Sequence, residues 1–147
     1  MKHYVVGFVF DYDLNHVLLL KKTHPEWQKG KYNGVGGLVE HDEDAPYAMW
    51  RECLEECNLD IAPDGWCHVV DLKCPTCYIT FLSTVISLSR MTDSIYKETD
   101  EEPVIMALSE VLRNYDNIVQ PTGWILLMAR DQYVQNTPFI RYMVDET

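Results

Sequence analysis

The sequence predicts one domain of the α+β or α/β class, with strands and helices interspersed along the chain. Three observations predict it. The 147 residues are the usual size of one domain. The composition, 47% apolar and 24% charged, excludes a disordered chain, a collagen and a coiled coil. Short β-rich runs bounded by turn formers alternate with stretches of helical spacing. A chain of this length buries roughly 70% of the surface it would expose unfolded, so a core needs no covalent staple. No internal repeat, low-complexity tract or linker divides residues 1–147.

Tyr4 to Phe10 is β-rich, Asp11 to His16 is polar with Asp and Asn turn formers, and Val17 to Leu20 is apolar. Together they read as a hairpin. Thr23 to Gly34 is a loop, and Val35 to Glu40 is a short glycine-rich extended segment. Asp44 to Cys57 reads as a helix: Asp44 can cap it, Pro46 falls in the first turn, and Asn58 suits a left-handed C-cap. Val69 to Lys73 and Tyr78 to Ser87 read as two strands joined at Cys74-Pro75-Thr76-Cys77. Leu88 to Pro103 reads as a long polar loop, Val104 to Leu108 as a short strand, and Ser109 as the start of a brief helical turn. Thr122 caps a last helix to about Val134, with Trp124, Leu127 and Met128 on its apolar side. Asn136 to Thr147 shows no pattern.

The formal charge is −11, from 12 Lys and Arg against 23 Asp and Glu. Such a field repels phosphate backbones and anionic lipid, so neither long nucleic acid nor a membrane surface is an expected partner. No apolar run approaches the ~20 residues of a membrane span or resembles a signal-peptide core. The expected setting is therefore soluble and cytoplasmic. Five cysteines without a secretory signal argue against a disulfide framework. The C-x-x-C at 74–77 lacks a second pair for zinc, with only Cys67 and His68 close by, and Pro75 makes it a turn.

The helix at 44–57 carries the chemistry. At about 100° per residue, Glu52, Glu55 and Glu56 share an arc of about 100°. Tyr47, Trp50, Cys53, Leu54 and Cys57 lie opposite. Like charges at i,i+3 and i,i+4 repel by ~0.2–0.5 kcal/mol per pair. Three at one spot call for a cation, and hard oxygen donors favour Mg²⁺, with Mn²⁺ as the alternative. A solvated acidic face is the plainer reading of the helix alone. Gly34-Val35-Gly36-Gly37, just before it, lets backbone approach a ligand or the helix closely.

Gly37, Glu43 and Arg51-Glu52-Cys53-Leu54-Glu55-Glu56-Cys57-Asn58-Leu59 resemble the Nudix box, G-x5-E-x7-R-E-U-x-E-E-x-G-U with U aliphatic. Seven dispersed positions agree. Cys53 stands where an aliphatic residue is usual, and Asn58 where Gly is usual. The resemblance implies the Nudix fold, an α+β (α/β/α) sandwich with a mixed sheet between helices. It implies Mg²⁺-dependent hydrolysis of a nucleoside diphosphate linked to another group. It assigns metal binding to Glu52, Glu55, Glu56 and the Gly37 carbonyl, and a catalytic role to Glu52 or Glu55. Glu43 and Arg51 become a structural salt bridge. A further ligand or base is expected from Glu98 to Glu102, with Glu101 first and Asp100 and Glu102 as alternates. Tyr32-Asn33-Gly34-Val35-Gly36-Gly37 is similar to the loop of the branch that degrades oxidised purine nucleoside triphosphates. That makes Asn33 a base contact and Gly36 part of the substrate site, although no Asp-Asp pair lies in Asp116 to Gln120. Trp27 and Tyr32 could stack on a base or simply pack at the edge, and Lys22 and His24 could contact phosphate, although a solvated hairpin end is the plainer reading of those two. The expected substrate is a (deoxy)nucleoside triphosphate. ADP-ribose, other nucleotide sugars and dinucleoside polyphosphates are the alternatives, and a non-catalytic nucleotide-sensing module is the second class. Monomer and homodimer both stay open.

Overall fold

The computed structural model describes residues 1–95, 101–135 and 142–145, the last group as backbone only. The chain begins with β1 (Lys2–Asp11) and β2 (His16–Lys21). After a single 3₁₀ turn at Glu26–Gln28 come β3 (Tyr32–Asn33), β4 (Val35–Leu38) and α1 (Ala45–Cys57). Then follow β5 (Cys67–Lys73), β6 (Cys77–Ile86), α2 (Leu88–Ser94), β7 (Glu102–Ala107), α3 (Leu108–Arg113), α4 (Thr122–Val134) and β8 (Tyr142–Asp145).

All eight strands join one mixed sheet, whose main path runs β3-β2-β1-β6-β5-β8. β1 is its axis. One edge pairs in parallel with β6 along the strand's full length, from Lys2↔Cys77 to Asp11↔Ile86. The other edge is shared: Tyr4 to Gly7 face β4, and Val9 and Phe10 face β2, both antiparallel. β7 covers the far edge of β2.

Alternation along β1 divides the core between two faces. Val5 and Val9 pack with Ala48, Met49, Cys53 and Cys57 of α1 and Met91 of α2. Phe8 and Phe10 pack with Val111 of α3 and Ile125, Leu126 and Ala129 of α4. Helices therefore cover both faces, the expected α/β/α sandwich. The first hairpin, the turn at Pro75-Thr76 and the helix from Asp44 to Asn58 all form as the sequence predicts.

Several expectations need correction. Within the supposed loop from Leu88 to Pro103, Leu88–Ser94 is helix α2. The Ser87 hydroxyl caps it by accepting the Arg90 N–H, and Met91 anchors it in the core. Thr122 does not cap α4: it is the first helical residue, buried, and its hydroxyl donates to Asn33 Oδ1 at 2.9 Å. The inner face of α4 is Ile125, Leu126 and Ala129, with Leu127 and Met128 packed beside it, while Trp124 is exposed. On α1 the core face is Ala48, Met49, Cys53 and Cys57, and Tyr47 and Leu54 lie at the surface. The patternless tail contains β8, which pairs in parallel with β5.

Candidate functional site

The site is built where α1 packs against β4. Asp44 Oδ1 accepts the Tyr47 N–H at 2.9 Å and starts α1, with Pro46 beside it, where a missing N–H costs nothing. Asn58 ends it in the left-handed conformation, at φ 57°, and its N–H donates to the Leu54 carbonyl. Between these caps the helix is held against two glycines. A side chain on Gly36 would collide with the Val5 carbonyl, and one on Gly37 with the Glu52 carboxylate. At Gly36 only a residue without Cβ allows this approach, whereas at Gly37 it leaves the Glu52 carboxylate in its place. Glu56 uses it directly, its Oε1 accepting the Gly36 N–H at 2.9 Å.

Arg51 fastens the connecting loop to the helix. Its guanidinium forks onto Glu43 at 2.6 and 2.8 Å, and it also donates to the Leu38 carbonyl at 3.0 Å. The Glu43 hydrogen bonds to Arg51 outweigh burial and hold its carboxyl below the usual range. The same guanidinium donates to Glu52 at 2.9 Å and to Glu55 at 3.4 Å.

The three carboxylates of the arc therefore have different surroundings. The Glu55 side chain is 58% exposed and leans on Arg51, outside the cleft. Glu52 and Glu56 line a cleft of about 630 Å³, together with Gly36 and Gly37. Burial raises the Glu52 pKa above the usual carboxylate range, against the pull of Arg51. Burial, with Glu52 next in weight, pushes Glu56 up to about 8, with Glu101 adding to the rise. The Gly36 N–H and Lys22 pull it the other way.

Glu101 reaches the same cleft from the segment ahead of β7, its Oε1 3.8 Å from Lys22 Nζ. Its alternate Glu102 is exposed at the start of β7, and Asp100 lies outside the described residues. Lys22 and His24 line the cleft as well.

From the carboxylates the cleft runs across the sheet to an apolar end. β6 supplies Cys77, Ile79 and Phe81 at alternate positions, and the segment before α4 supplies Val119 and Pro121. Tyr4, Gln28, Gln120 and Thr122 complete this end. Sequence reading placed none of them at the site, and the alternating apolar pattern of β6 was the one usable signal.

Asn33 lines the cleft with its amide engaged. Its Oδ1 accepts from the Gly34 N–H at 2.8 Å and from the Thr122 hydroxyl, and its Nδ2 donates to Gln28 Oε1 at 3.3 Å. Trp27 stands 64% exposed at the rim. Tyr32 sits apart from the cleft lining and packs against the α4-side core.

Glu52, Glu56 and Glu101 are hard oxygen donors crowded into one end of a cleft, the chemistry that suits Mg²⁺ or Mn²⁺. Burial first, and then the neighbouring Glu52 and Glu101 carboxylates, raise the Glu56 pKa. Among the described residues no group of three His, Cys, Asp or Glu side chains stands ready to hold a metal ion. With Arg51 on Glu52, a bound cation would compete with the guanidinium for that carboxylate.

No protein-family model matches the chain, and no curated protein matches it in sequence. Solved structures do match in fold. A NUDIX hydrolase from Nitrosomonas europaea superposes at TM-score 0.70 and 16% identity, covering 99% of this chain and 79% of that one. The MutT protein of Bacillus halodurans gives TM-score 0.69 at 15% identity, covering 100% and 91%. The NUDIX domain of Shewanella oneidensis NrtR, a cocrystal with ADP-ribose, gives 0.69 at 13% identity, covering 89% and 87%. The sandwich is the Nudix fold.

Proposed function

We propose that this chain is a single Nudix domain that hydrolyses a nucleoside diphosphate linked to another group. Its substrate is a (deoxy)nucleoside triphosphate, cut to the monophosphate and pyrophosphate. The observation that carries this reading is one cleft of about 630 Å³ with an acidic end and an apolar end. That volume suits a nucleotide-sized ligand. The phosphate chain lies towards Glu52, Glu56 and Glu101, and the base lies over Ile79 and Phe81.

Glu52, Glu56, Glu101 and the Gly37 carbonyl would hold Mg²⁺, or Mn²⁺ in its place. Glu55 would join them once it leaves Arg51. The ion supplies neutralisation of phosphate charge and a lowered pKa for bound water. The chain's own part is to position and to move protons. Glu52 or Glu101 accepts the proton of the water that attacks phosphorus. Lys22 and His24 meet phosphate oxygens, and Arg51 and Glu43 keep the loop on the helix. Trp27 stacks on the base at the rim, and the Gln28–Asn33 amide pair reads its edge.

A second reading is a nucleotide-sensing module, favoured by the likeness to the ADP-ribose-bound NrtR domain. One screen separates the two. Nucleoside triphosphates, ADP-ribose and dinucleoside polyphosphates are incubated with the protein and Mg²⁺, and the products are identified. The expected result is pyrophosphate and a nucleoside monophosphate, lost on adding a chelator. Binding of ADP-ribose without turnover of any compound would establish the sensor instead.

A further inference from the structure

The Cys74–Cys77 turn takes no part in the hydrolysis proposed above. The β5–β6 register pairs Leu72 with Ile79 and Lys73 with Tyr78, so the next pair is Cys74 opposite Cys77. The Cys74 N–H donates to the Cys77 carbonyl at 2.9 Å, which makes this a hydrogen-bonded pair across a two-residue loop, Pro75-Thr76. Directly opposed residues project to the same face of a sheet. That face is the cleft side: Cys77 begins the row Cys77, Ile79, Phe81 in the cleft wall, and Cys74 packs against the core beneath that wall.

We propose that Cys74 and Cys77 are a reversible dithiol–disulfide pair at the rim of the cleft. Opposed residues of this kind have Cα atoms about 5.5 Å apart, inside the span a disulfide bridges. Their Cβ atoms lie about 4.5–5.5 Å apart, against the roughly 3.5–4.5 Å a disulfide prefers. Closure therefore pulls the turn inward, and a bond under such tension is readily reduced. Zinc is the competing use of a C-x-x-C, and the fold argues against it. Cys67 lies six pairs up the ladder, roughly 20 Å away, and no metal-holding group of three exists among the described residues. Cys53 and Cys57 are fully buried in the core, and Cys53 as hydrogen-bond partner, with burial, raises the Cys57 pKa. They pack rather than react.

The oxidant is a small-molecule disulfide. The Cys77 thiolate, open to the cleft, attacks one sulfur and releases the first thiolate, leaving a mixed disulfide on Cys77. The Cys74 thiolate then attacks the Cys77 sulfur and releases the second. Two thiols become one protein disulfide, two electrons reduce the reagent to two thiols, and no other reactant is needed.

The test uses the full chain in buffers of graded reduced and oxidised glutathione, quenched with an alkylating reagent and read by intact mass and peptide mapping. The expected product has lost two hydrogens, carries one crosslink between 74 and 77, and returns to the dithiol in excess reduced glutathione. Cys74→Ser is expected to stop at a glutathione adduct on Cys77. A wild-type protein that accumulates a stable adduct, stays fully reduced, or crosslinks other cysteines would overturn the proposal, and none of these readings depends on turnover.

Discussion

Gly36 and Gly37 stand side by side in β4, and an added methyl should have opposite consequences at the two. At Gly36 it meets the Val5 carbonyl, which belongs to the sheet and cannot move aside. Gly36→Ala is expected to cost about 1–3 kcal/mol of stability in denaturant titrations. At Gly37 it meets the far end of a flexible side chain, the Glu52 carboxylate. Gly37→Ala is expected to keep stability within ~0.5 kcal/mol while turnover falls roughly 10–100-fold, because a displaced Glu52 no longer holds its place. Equal losses of stability in the two variants would refute this division. Helical spacing made Glu52 and Glu56 legible as neighbours. It could not separate them from Glu55, because which part of the acidic arc turns towards β4 and which stays at the surface is decided by how the helix packs, and there Glu55 is left 58% exposed.

At the scale of the element, α1 is specified at both ends by local chemistry. Asn58 holds φ 57°, a conformation that costs a residue with a plain Cβ ~1–2 kcal/mol. Asn58→Ala is expected to lower stability by about 1 kcal/mol, and Asn58→Gly to leave it near wild type. Thermal or denaturant melts of the two variants check it, and equal loss from both would remove the cap's role. Such local signals are why α1, the first hairpin and the turn at Pro75-Thr76 can be read from sequence. α2 escapes because its seven residues show only one buried apolar anchor, Met91. Trp124 misleads because α4 is apolar nearly all round, so hydrophobicity does not say which side faces the sheet. The apolar wall of the cleft is illegible for another reason: β6 and the segment before α4 are distant in sequence and meet only in the fold.

Across the whole molecule, 11 of the 23 acidic residues lie in Glu40 to Glu56 and Glu98 to Glu102. Of these, Glu52, Glu56 and Glu101 converge on one end of the cleft. That convergence links global stability to pH. The folded Glu56 pKa, about 8, lies above its ordinary 4.5, so folding favours the protonated form. The stability this adds is full below about pH 4.5 and is lost as pH rises towards about 8. Asp11 works in the opposite sense. Burial raises its pKa, but hydrogen bonds from the His16 side chain and the backbone at His16 and Asn15 outweigh that and lower it. Its contribution is present above the ordinary carboxylate value and fades as pH falls through the lowered one. In chelator, the melting temperature of Glu56→Gln should fall less than that of wild type between about pH 5 and about pH 8. Added Mg²⁺ should raise the wild-type value more than the variant's. Parallel pH profiles for the two proteins would show that Glu56 does not set this dependence.

The pairing of β1 with β6 also governs how the molecule comes into being. β1 is made first, yet its longest partner begins at Cys77. A parallel ladder closed over so long a stretch of chain is slow to nucleate, because loop entropy is spent before any contact repays it. β4, which carries Gly36 and Gly37, also hangs on β1. Helix α1 can form from local signals while the strand that must receive Glu56 is still without a stable sheet. The acidic helix is therefore expected to gain structure before the cleft does. In refolding experiments, helical signal is expected to return ahead of protection at the Gly36 amide, and simultaneous recovery of the two would argue for a single concerted step.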